Sequence, residues 1–258
     1  MKSIVYNLTN SANLILTAFL VILLTSCNDS SKTETQAAKE EISKPVLTEN
    51  AYNVGFLIMD GTFNTELTAP FDIFQHTKYR EGIKPMNVFL VAQTMDAVTT
   101  FEGIRILPDY TFENAPKIDI LVVPSAEHHL DTDLENATMI NFVKQVSEDA
   151  EYITSHCDGA FVLAQAGILD QKVSTTFPSD IDQMKDRFPL LDIRKNVWFV
   201  HDDKVITSAG GARSFEAAMY LCDVLYGPKI TQSLAGGLVL DYDLDNYPHL
   251  IIESKKSE

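Results

Sequence analysis

One cysteine stands at a position where nucleophilic chemistry is expected. In the segment TSHCDGAFVLAQAGILD, residues 154–170, Cys157 lies between an apolar stretch of strand character and a helical stretch rich in small residues. The first N–H groups of a helix lack partners within the helix, and its positive end favours an anion. A thiolate at this place has a lowered pKa. Gly159 and Ala160 allow the tight turn, so the segment predicts a nucleophilic Cys157.

The chain has two further cysteines, Cys27 and Cys222. Cys222 lies in the apolar helical stretch AAMYLCDVL, where a cysteine packs as a small hydrophobic residue. The same structural interpretation is open for Cys157. A disulfide between Cys157 and Cys222 is a further alternative, but a strand end and a mid-helix position rarely present the required Cβ geometry. We therefore expect two free thiols in the folded domain.

Apolar segments short enough for strands alternate with segments of helical period, which is typical of a parallel sheet covered on both faces. The predicted strands and hairpins are YNVGFLIM, MNVFLVA, TTFEGIRILP, IDILVVP, EYITSHC and VWFVHDDKVITSA. The predicted helices are ELTAPFDIFQHTKY, ATMINFVKQVSEDA, DGAFVLAQAGIL, RSFEAAMYLCDVLYG and KITQSLAGGLVLD. This order predicts an α/β fold, a three-layer doubly wound sandwich with a mainly parallel central sheet.

Ligands bind such folds at the carboxyl ends of the strands. Four predicted strand ends are of interest, and three of them combine small residues with polar side chains. They are the loop that reaches Glu66, PSAEHH at 124–129, HCDG at 156–159 and SAGGARS at 208–214. We expect these four segments to meet at one edge of the sheet.

The segment HCDGAFVLAQAGILD resembles the nucleophile segment of the ThiJ/PfpI family, within the class I glutamine amidotransferase-like superfamily. ELTAPFDIF is similar to the family's first acidic-residue helix, IDILVVP to the strand before its glycine loop, and VITSAGGARSFEAAMYLCDVLYG to its closing segment. The resemblance runs from about Val54 to Leu240 with the motifs in order. It implies the flavodoxin-like α/β fold of that family, whose members commonly form homodimers.

The resemblance also implies how Cys157 is activated. Its thiol is expected to bond to a carboxylic acid after the first strand, here Glu66, which can hold a proton and pass it on. Glu66 is also placed to complement the dipole of its helix. The family's oxyanion site uses the N–H after the cysteine, here that of Asp158, and one from a Gly-Gly loop. Ser125 and Ala126 replace those glycines, so we expect a hole of altered shape.

The histidines depart from the family pattern. Phe177 stands near the place where isonitrile hydratase-like members carry a histidine, so the motif assigns no Cys-His-Glu triad. His156 precedes the cysteine on a strand, where alternation turns it away into the core. His128 and His129 lie in the crevice loop, either as candidate bases or as solvated side chains.

The sequence predicts no metal and no cofactor. Its histidines and carboxylates show neither HExxH nor paired-cysteine spacing, and AGGARS is not a GxGxxG motif. Arg213 near the start of the following helix is a candidate for binding an anionic group of a substrate, or an ordinary surface charge. The formal net charge of −16 argues against nucleic acid as a partner.

Residues 1–26 have the pattern of a signal peptide, with Lys2 followed by an apolar run from Leu14 to Leu24 that is too short to span a bilayer. The run ends in LLTSC, which resembles the lipobox of bacterial lipoproteins. The resemblance implies that Cys27 is lipidated and anchors the protein to a membrane of the bacterial cell envelope. An ordinary signal peptide, or an anchor helix with an incidental cysteine, is the alternative.

Composition divides the remaining chain into three parts. Residues 27–50 are polar and charged and predict a flexible tether. Residues 51–245 form the predicted α/β domain, and residues 246–258 a polar tail. With 258 residues, 45% of them hydrophobic, the chain can bury one full-sized core without a disulfide scaffold.

Together these features predict a cofactor-independent cysteine hydrolase, hydratase or lyase that acts on a small electrophile, such as an isonitrile, an amide or a reactive carbonyl. Cys157 attacks the electrophilic carbon, and N–H groups at Asp158 and near Ala126 hold the negative charge. Glu66 shuttles protons with help from Asp158, although a second carboxylate also opposes ionisation of the thiol. The alternative is a redox-sensing or ligand-binding module that uses the same cysteine.

Overall fold

The fold is described from a computed structural model, over residues 44–253. The predicted signal peptide, Cys27 and most of the predicted tether lie outside the described residues. Strands occupy β1 (Tyr52–Leu57), β2 (Met86–Ala92), β3 (Val98–Thr99), β4 (Arg105–Ile106), β5 (Tyr110–Thr111), β6 (Ile120–Val123), β7 (Tyr152–His156), β8 (Val173–Ser174), β9 (Asp192–Ile193), β10 (Phe199–Asp202), β11 (Val205–Ser208) and β12 (His249–Ile252). Helices occupy α1 (Asn64–Gln75), α2 (Ala137–Asp149), α3 (Gly159–Gln165), α4 (Ile181–Arg187), α5 (Arg213–Tyr226) and α6 (Pro228–Gly237).

Eight strands form one sheet in the order β12-β10-β11-β7-β6-β1-β2-β5. Every neighbouring pair in it is parallel except β10 and β11, which form the second predicted hairpin. The first predicted hairpin is the separate antiparallel pair β3 and β4. The predicted mainly parallel, three-layer α/β fold is confirmed.

Two apolar layers cover the two faces of the sheet, and β6 shows why the sequence alternates so little there. Ile120 and Val122 belong to the cluster that includes residues of α1, α5 and α6, whereas Leu121 and Val123 belong to the cluster of α2, α3 and α4. All four side chains are fully buried. A strand covered on both faces therefore reads as an unbroken apolar run. Cys222 is buried in the first of these clusters, and both cysteines of the described domain are free, as expected.

Both ends of the predicted domain need correction. The composition of residues 246–258 predicts a polar tail, but β12 lies within them and extends the sheet beside β10. A four-residue edge strand is too short for its periodicity to stand out in the sequence. At the other end, Thr48 of the predicted tether exchanges two hydrogen bonds, of 2.8 and 3.0 Å, with the Asn87 side chain. The end of the tether therefore packs on the domain.

The central strands bring the four predicted segments to one edge of the sheet. The loops after β1 and β6 are joined by a bridge between Thr62 and Ala126 and by the Phe63 N–H, which donates to the Ser125 carbonyl at 3.0 Å. No helix within residues 44–253 is long and apolar enough to cross a membrane.

Candidate active site

Cys157 lies at the strand-to-helix turn between β7 and α3 with a backbone φ of +54°. This left-handed conformation is uncommon for any residue that carries a Cβ and costs on the order of 1–3 kcal/mol. Its N–H donates to the Ser208 carbonyl at 3.0 Å, and its carbonyl accepts from the Ala160 N–H at 3.3 Å. The turn is therefore held by β11 on one side and by the helix on the other.

Two glycines make room for this turn. A Cβ on Gly210, which has a φ of +74°, would lie 2.3 Å from the Cβ of Cys157. A Cβ on Gly159 would lie 2.1 Å from the Val123 carbonyl oxygen. Both distances are far shorter than a carbon contact allows, so the loop after β11 and the end of β6 can approach the cysteine only because these residues are glycines.

Glu66 in the first turn of α1 is buried and connects three parts of the site. Its carboxylate accepts hydrogen bonds from the Ser125 N–H at 3.2 Å and the Gly211 N–H at 2.9 Å, and it also lies within hydrogen-bonding reach of the Cys157 thiol. Burial raises the pKa of Glu66 above its ordinary value, while these three interactions act in the opposite direction. Glu66 thus lies beside the cysteine at the position that the resemblance implied.

Asp158 also contacts the sulfur. Cys157 Sγ lies 3.5 Å from Asp158 Oδ2, within hydrogen-bond distance for sulfur. Burial raises the pKa of Asp158, and the nearby negative charge of Asp180 adds to the increase. Cys157 therefore lies next to two buried carboxyl groups that favour holding a proton.

The expected lowering of the Cys157 pKa is wrong for this arrangement. Burial raises the pKa of the thiol, and the carboxylates of Glu66 and Asp158 raise it further, although the Ser125 hydroxyl and the Asp158 N–H oppose the increase. The helix that follows has only seven residues, so its dipole is weak against two charges and desolvation. The sulfur ionises readily only if its proton moves to one of the carboxylates, which leaves the net charge of the site unchanged.

The predicted oxyanion donors are partly occupied. The Ser125 N–H bonds to Glu66, and the Ala126 N–H bonds to His129 Nδ1 at 3.2 Å, so neither amide is free to hold a developing negative charge. This corrects the expectation of a donor near Ala126. The Asp158 N–H still faces the sulfur. The buried Ser125 hydroxyl, which has no partner other than that sulfur among the described residues, is the available second donor.

No histidine within residues 44–253 hydrogen-bonds to the cysteine or to either carboxyl group. His128 is solvated, with its side chain 55% exposed next to the carboxylates of Glu127 and Asp131. His129 and His156 are buried, and burial lowers the pKa of each to about 3, so both are neutral near pH 7. His156 bonds to the Ser208 hydroxyl at 3.0 Å, as a core residue.

Two other predicted site residues lie outside the cysteine's hydrogen-bond network. Phe177 is partly exposed. The Arg213 guanidinium stacks on the Trp198 ring at 3.5 Å and pairs with Glu216 at 3.1 Å. The guanidinium of Arg213, a candidate from the sequence for binding an anionic substrate group, is therefore already paired within the protein.

Sequence reasoning missed Thr176. Its buried hydroxyl lies 3.0 Å from the Cys157 carbonyl oxygen and 3.1 Å from Asp158 Oδ1. The residue lies two positions after the short strand β8, and no motif marks it. Only the path of the chain after β8 brings it to the nucleophile. Within the described residues, no group of three or more His, Cys, Asp or Glu side chains is placed to hold a metal ion.

The model of the DJ-1/PfpI family matches residues 52–222, which include every side chain of this cluster. The chain belongs to the DJ-1/PfpI family. An isonitrile hydratase from Pseudomonas putida is 27% identical over 182 residues, covering 70% of this chain and 75% of that protein. A crystal structure of a ThiJ/PfpI family protein from Pseudomonas syringae superposes with a TM-score of 0.66 at 22% identity, covering 79% of this chain and 84% of that one.

A relative of another kind also matches this chain. The transcriptional regulator GbdR of Pseudomonas aeruginosa is 20% identical over 192 residues, which cover 74% of this chain. The match covers 51% of that regulator's length. Family membership therefore gives the fold of this chain without fixing its activity.

Gly210→Ala tests the close packing against Cys157. We expect a loss of roughly 2–4 kcal/mol in the free energy of unfolding, because the new Cβ adds both a clash and a positive-φ penalty. Gly211→Ala is the matched control, since Gly211 also has a positive φ but no atom lies within 4 Å of the place that its new methyl group would take. Urea unfolding of the two variants should differ by the cost of the clash, and equal losses would contradict the argument.

Glu66→Gln tests the buried carboxyl. A raised folded-state pKa means that the stability contributed by protonated Glu66 is fully present below its unfolded pKa and is lost as pH rises through the folded pKa. The variant loses one acceptor, so we expect it to be less stable at acid pH by about 1–2 kcal/mol, with the gap narrowing toward neutral pH. Urea unfolding across this range measures the gap. The prediction would be contradicted if the difference in free energy of unfolding between the wild type and Glu66→Gln widened as pH rose, or if the exposed control Glu127→Gln showed the same trend.

Proposed function

We propose that this protein is a cofactor-independent cysteine hydratase, with Cys157 as nucleophile and the carboxyl groups of Asp158 and Glu66 as proton carriers. The observation that carries the proposal is the buried cysteine in a left-handed turn with two carboxyl groups beside it. Membership of the DJ-1/PfpI family and the similarity to an isonitrile hydratase support it. Isonitriles are therefore the substrate class to test before amides or reactive carbonyls.

The exposure of the sulfur favours a small substrate. Cys157 is only 6% exposed, so a bulky carbon centre cannot reach it without movement of the surrounding loops. An isonitrile carries its reactive carbon at the end of a linear group, which needs the least room. The steric demand of the site and the shape of this substrate class therefore agree.

In the first step the sulfur attacks the terminal carbon of R–N≡C. The thiol proton moves to Asp158 Oδ2, which lies 3.5 Å from Sγ, and from there to the carbon as the C–S bond forms. The product of this step is a thioimidate, R–N=CH–S–Cys157. Asp158 is suited to the transfer because its pKa is raised to about 7, close to that of an efficient acid and base at neutral pH.

In the second step water adds to the C=N bond. A carboxylate takes one proton from the water and passes it to the nitrogen, which gives R–NH–CH(OH)–S–Cys157. The C–S bond then breaks as the hydroxyl proton of this intermediate is passed through a carboxylate to the sulfur. The sum is R–N≡C + H₂O → R–NH–CHO, with no oxidant or reductant. The Ser125 hydroxyl and the Asp158 N–H both lie against the sulfur. They are the donors that stabilise negative charge on the sulfur during these transfers.

A second candidate function is a ligand-binding module. The similarity to GbdR favours it, because that protein is named as a transcriptional regulator and the match covers 74% of this chain. A buried thiol whose pKa is raised is also a weak nucleophile at rest. In this alternative the cluster around Cys157 binds a small molecule without turning it over.

The proposal further includes anchoring at the bacterial cell envelope. Its support is the sequence of residues 1–26 and the LLTSC motif that ends in Cys27. Lipid attached at this residue would hold the protein at a membrane surface, because two or more acyl chains bind stably where one binds marginally. The substrate would then be a molecule present outside the cytoplasm.

Formamide production from small alkyl and aryl isonitriles tests the activity. We expect turnover by the full-length chain, a loss of at least about 10³-fold in Cys157→Ala and of roughly 10²-fold in Asp158→Asn. Cys222→Ala is the matched control, since it removes a buried thiol far from the chemistry and should retain turnover.

Two results would overturn or redirect this proposal. Equal formamide production by Cys157→Ala would exclude the cysteine mechanism. Thermal stabilisation of the wild type by a panel of small molecules, without turnover of any of them, would favour the ligand-binding module.

Incorporation of a labelled fatty acid tests the anchor. We expect the full-length chain, expressed in a bacterium, to carry the label and to sediment with membranes, and Cys27→Ala to lose both properties. Cys222→Ala should keep both. Label that persists in Cys27→Ala would contradict lipidation at this residue.

A further inference from the structure

The hydroxyl of Thr176 contacts two acceptor oxygens but has only one proton to donate. The hydroxyl oxygen lies 3.0 Å from the Cys157 carbonyl oxygen and 3.1 Å from Asp158 Oδ1. A carbonyl oxygen only accepts hydrogen bonds, and an ionised carboxylate only accepts them too. With one proton, the hydroxyl can therefore donate to only one of these oxygens at a time.

The protonation of Asp158 decides which contact is made. When Asp158 is ionised, the charged oxygen is the stronger acceptor, and the hydroxyl donates to it. The Cys157 carbonyl then keeps the bond from the Ala160 N–H at 3.3 Å. When Asp158 takes the thiol proton on Oδ2, Oδ1 becomes a neutral carbonyl oxygen and is no longer the stronger acceptor, so the hydroxyl donates to the nearer Cys157 carbonyl oxygen at 3.0 Å.

We propose that Thr176 is a positioning residue for proton transfer at this site, with a hydroxyl that turns between the Asp158 carboxylate and the Cys157 carbonyl as Asp158 gains and loses its proton. In both states the Thr176 hydroxyl proton has an acceptor. The hydroxyl also holds Asp158 so that its other oxygen, Oδ2, stays directed at the sulfur. This inference concerns the same site as the proposed hydratase function and rests on it for its role in turnover.

The surroundings of Asp158 contain no compensating positive charge among the groups that influence its pKa. The titratable groups that face it are the Cys157 thiol, Glu66 of α1 and Asp180, which precedes α4. His156 on β7 is buried and neutral near pH 7. Among these neighbours Thr176 is the strongest influence that favours the ionised carboxylate, so its loss should be visible in a titration.

An infrared pH titration of the full-length chain tests the proposal without any substrate. The C=O stretch of protonated Asp158 is identified by its absence in Asp158→Asn, and its intensity is followed against pH. We expect Thr176→Val to raise the apparent pKa of this carboxyl by about one pH unit, because a hydrogen bond to the charged form is lost. Thr176→Ser keeps the hydroxyl and should titrate as the wild type does.

The control for loss of a buried hydroxyl is Thr175→Val. Thr175 is the adjacent residue and is equally buried, and its hydroxyl lies 2.9 Å from the Arg194 carbonyl oxygen and 3.5 Å from the Thr176 carbonyl oxygen, without a hydrogen bond to Asp158. We expect no shift in this variant. Thr176→Ala removes the same hydroxyl with different packing and replaces Thr176→Val if that protein does not fold.

The alkylation of Cys157 by iodoacetamide, measured by mass spectrometry of its peptide, gives a second profile. The apparent pKa values belong to the coupled pair of thiol and carboxyl, and the profile should move with the infrared titration in Thr176→Val. An unshifted titration in Thr176→Val, or an equal shift in Thr175→Val, would overturn the positioning role. If the titration shifts in Thr176→Val but the wild-type protein does not turn over isonitriles, the hydratase proposal is overturned and the positioning role of Thr176 is kept.

Discussion

The site depends on one buried carboxylate that two loops share. Both oxygens of Glu66 accept backbone N–H groups, one at Ser125 after β6 and one at Gly211 after β11. Helix α1, which lies on one face of the sheet, thereby fixes two loops at the edge of the sheet where the parallel strands have their carboxyl ends. The left-handed turn of Cys157 lies between them, held to β11 through Ser208. Without an acceptor at position 66, the Ser125 amide would be buried without a partner, which proteins seldom tolerate, and the half-buried Gly211 amide would lose its partner as well.

In the same arrangement, the number of protons that the two carboxyl groups and the thiol hold together determines the net charge of the site. Two carboxyl groups and one thiol share a small buried volume with no adjacent cation among the described residues, so charges cannot accumulate there. A proton that leaves the sulfur is most favourably received by a neighbouring carboxylate. This explains how a site without a histidine base can support acid–base chemistry near neutral pH.

Long apolar and helical patterns were sufficient to predict the sheet, both hairpins and the place of Cys157, because these depend on local periodicity. Short elements escaped prediction: β12 has four residues, and β8 has two. The polar network escaped for a different reason. The bond between the Ala126 N–H and His129, and the contact of Thr176 with Asp158, depend on where loops cross in space, which spacing along the chain does not encode.

The left-handed backbone at Cys157 also bears on engineering. Glycine is the residue that adopts such a φ without penalty, and it would also relieve the tight approach of Gly210. A library screened only for thermal stability would therefore be expected to enrich glycine at the very position that carries the sulfur. Stability favours glycine at this position, whereas the proposed chemistry requires cysteine. Directed evolution of this scaffold therefore needs a selection for the reactivity of the thiol in addition to stability.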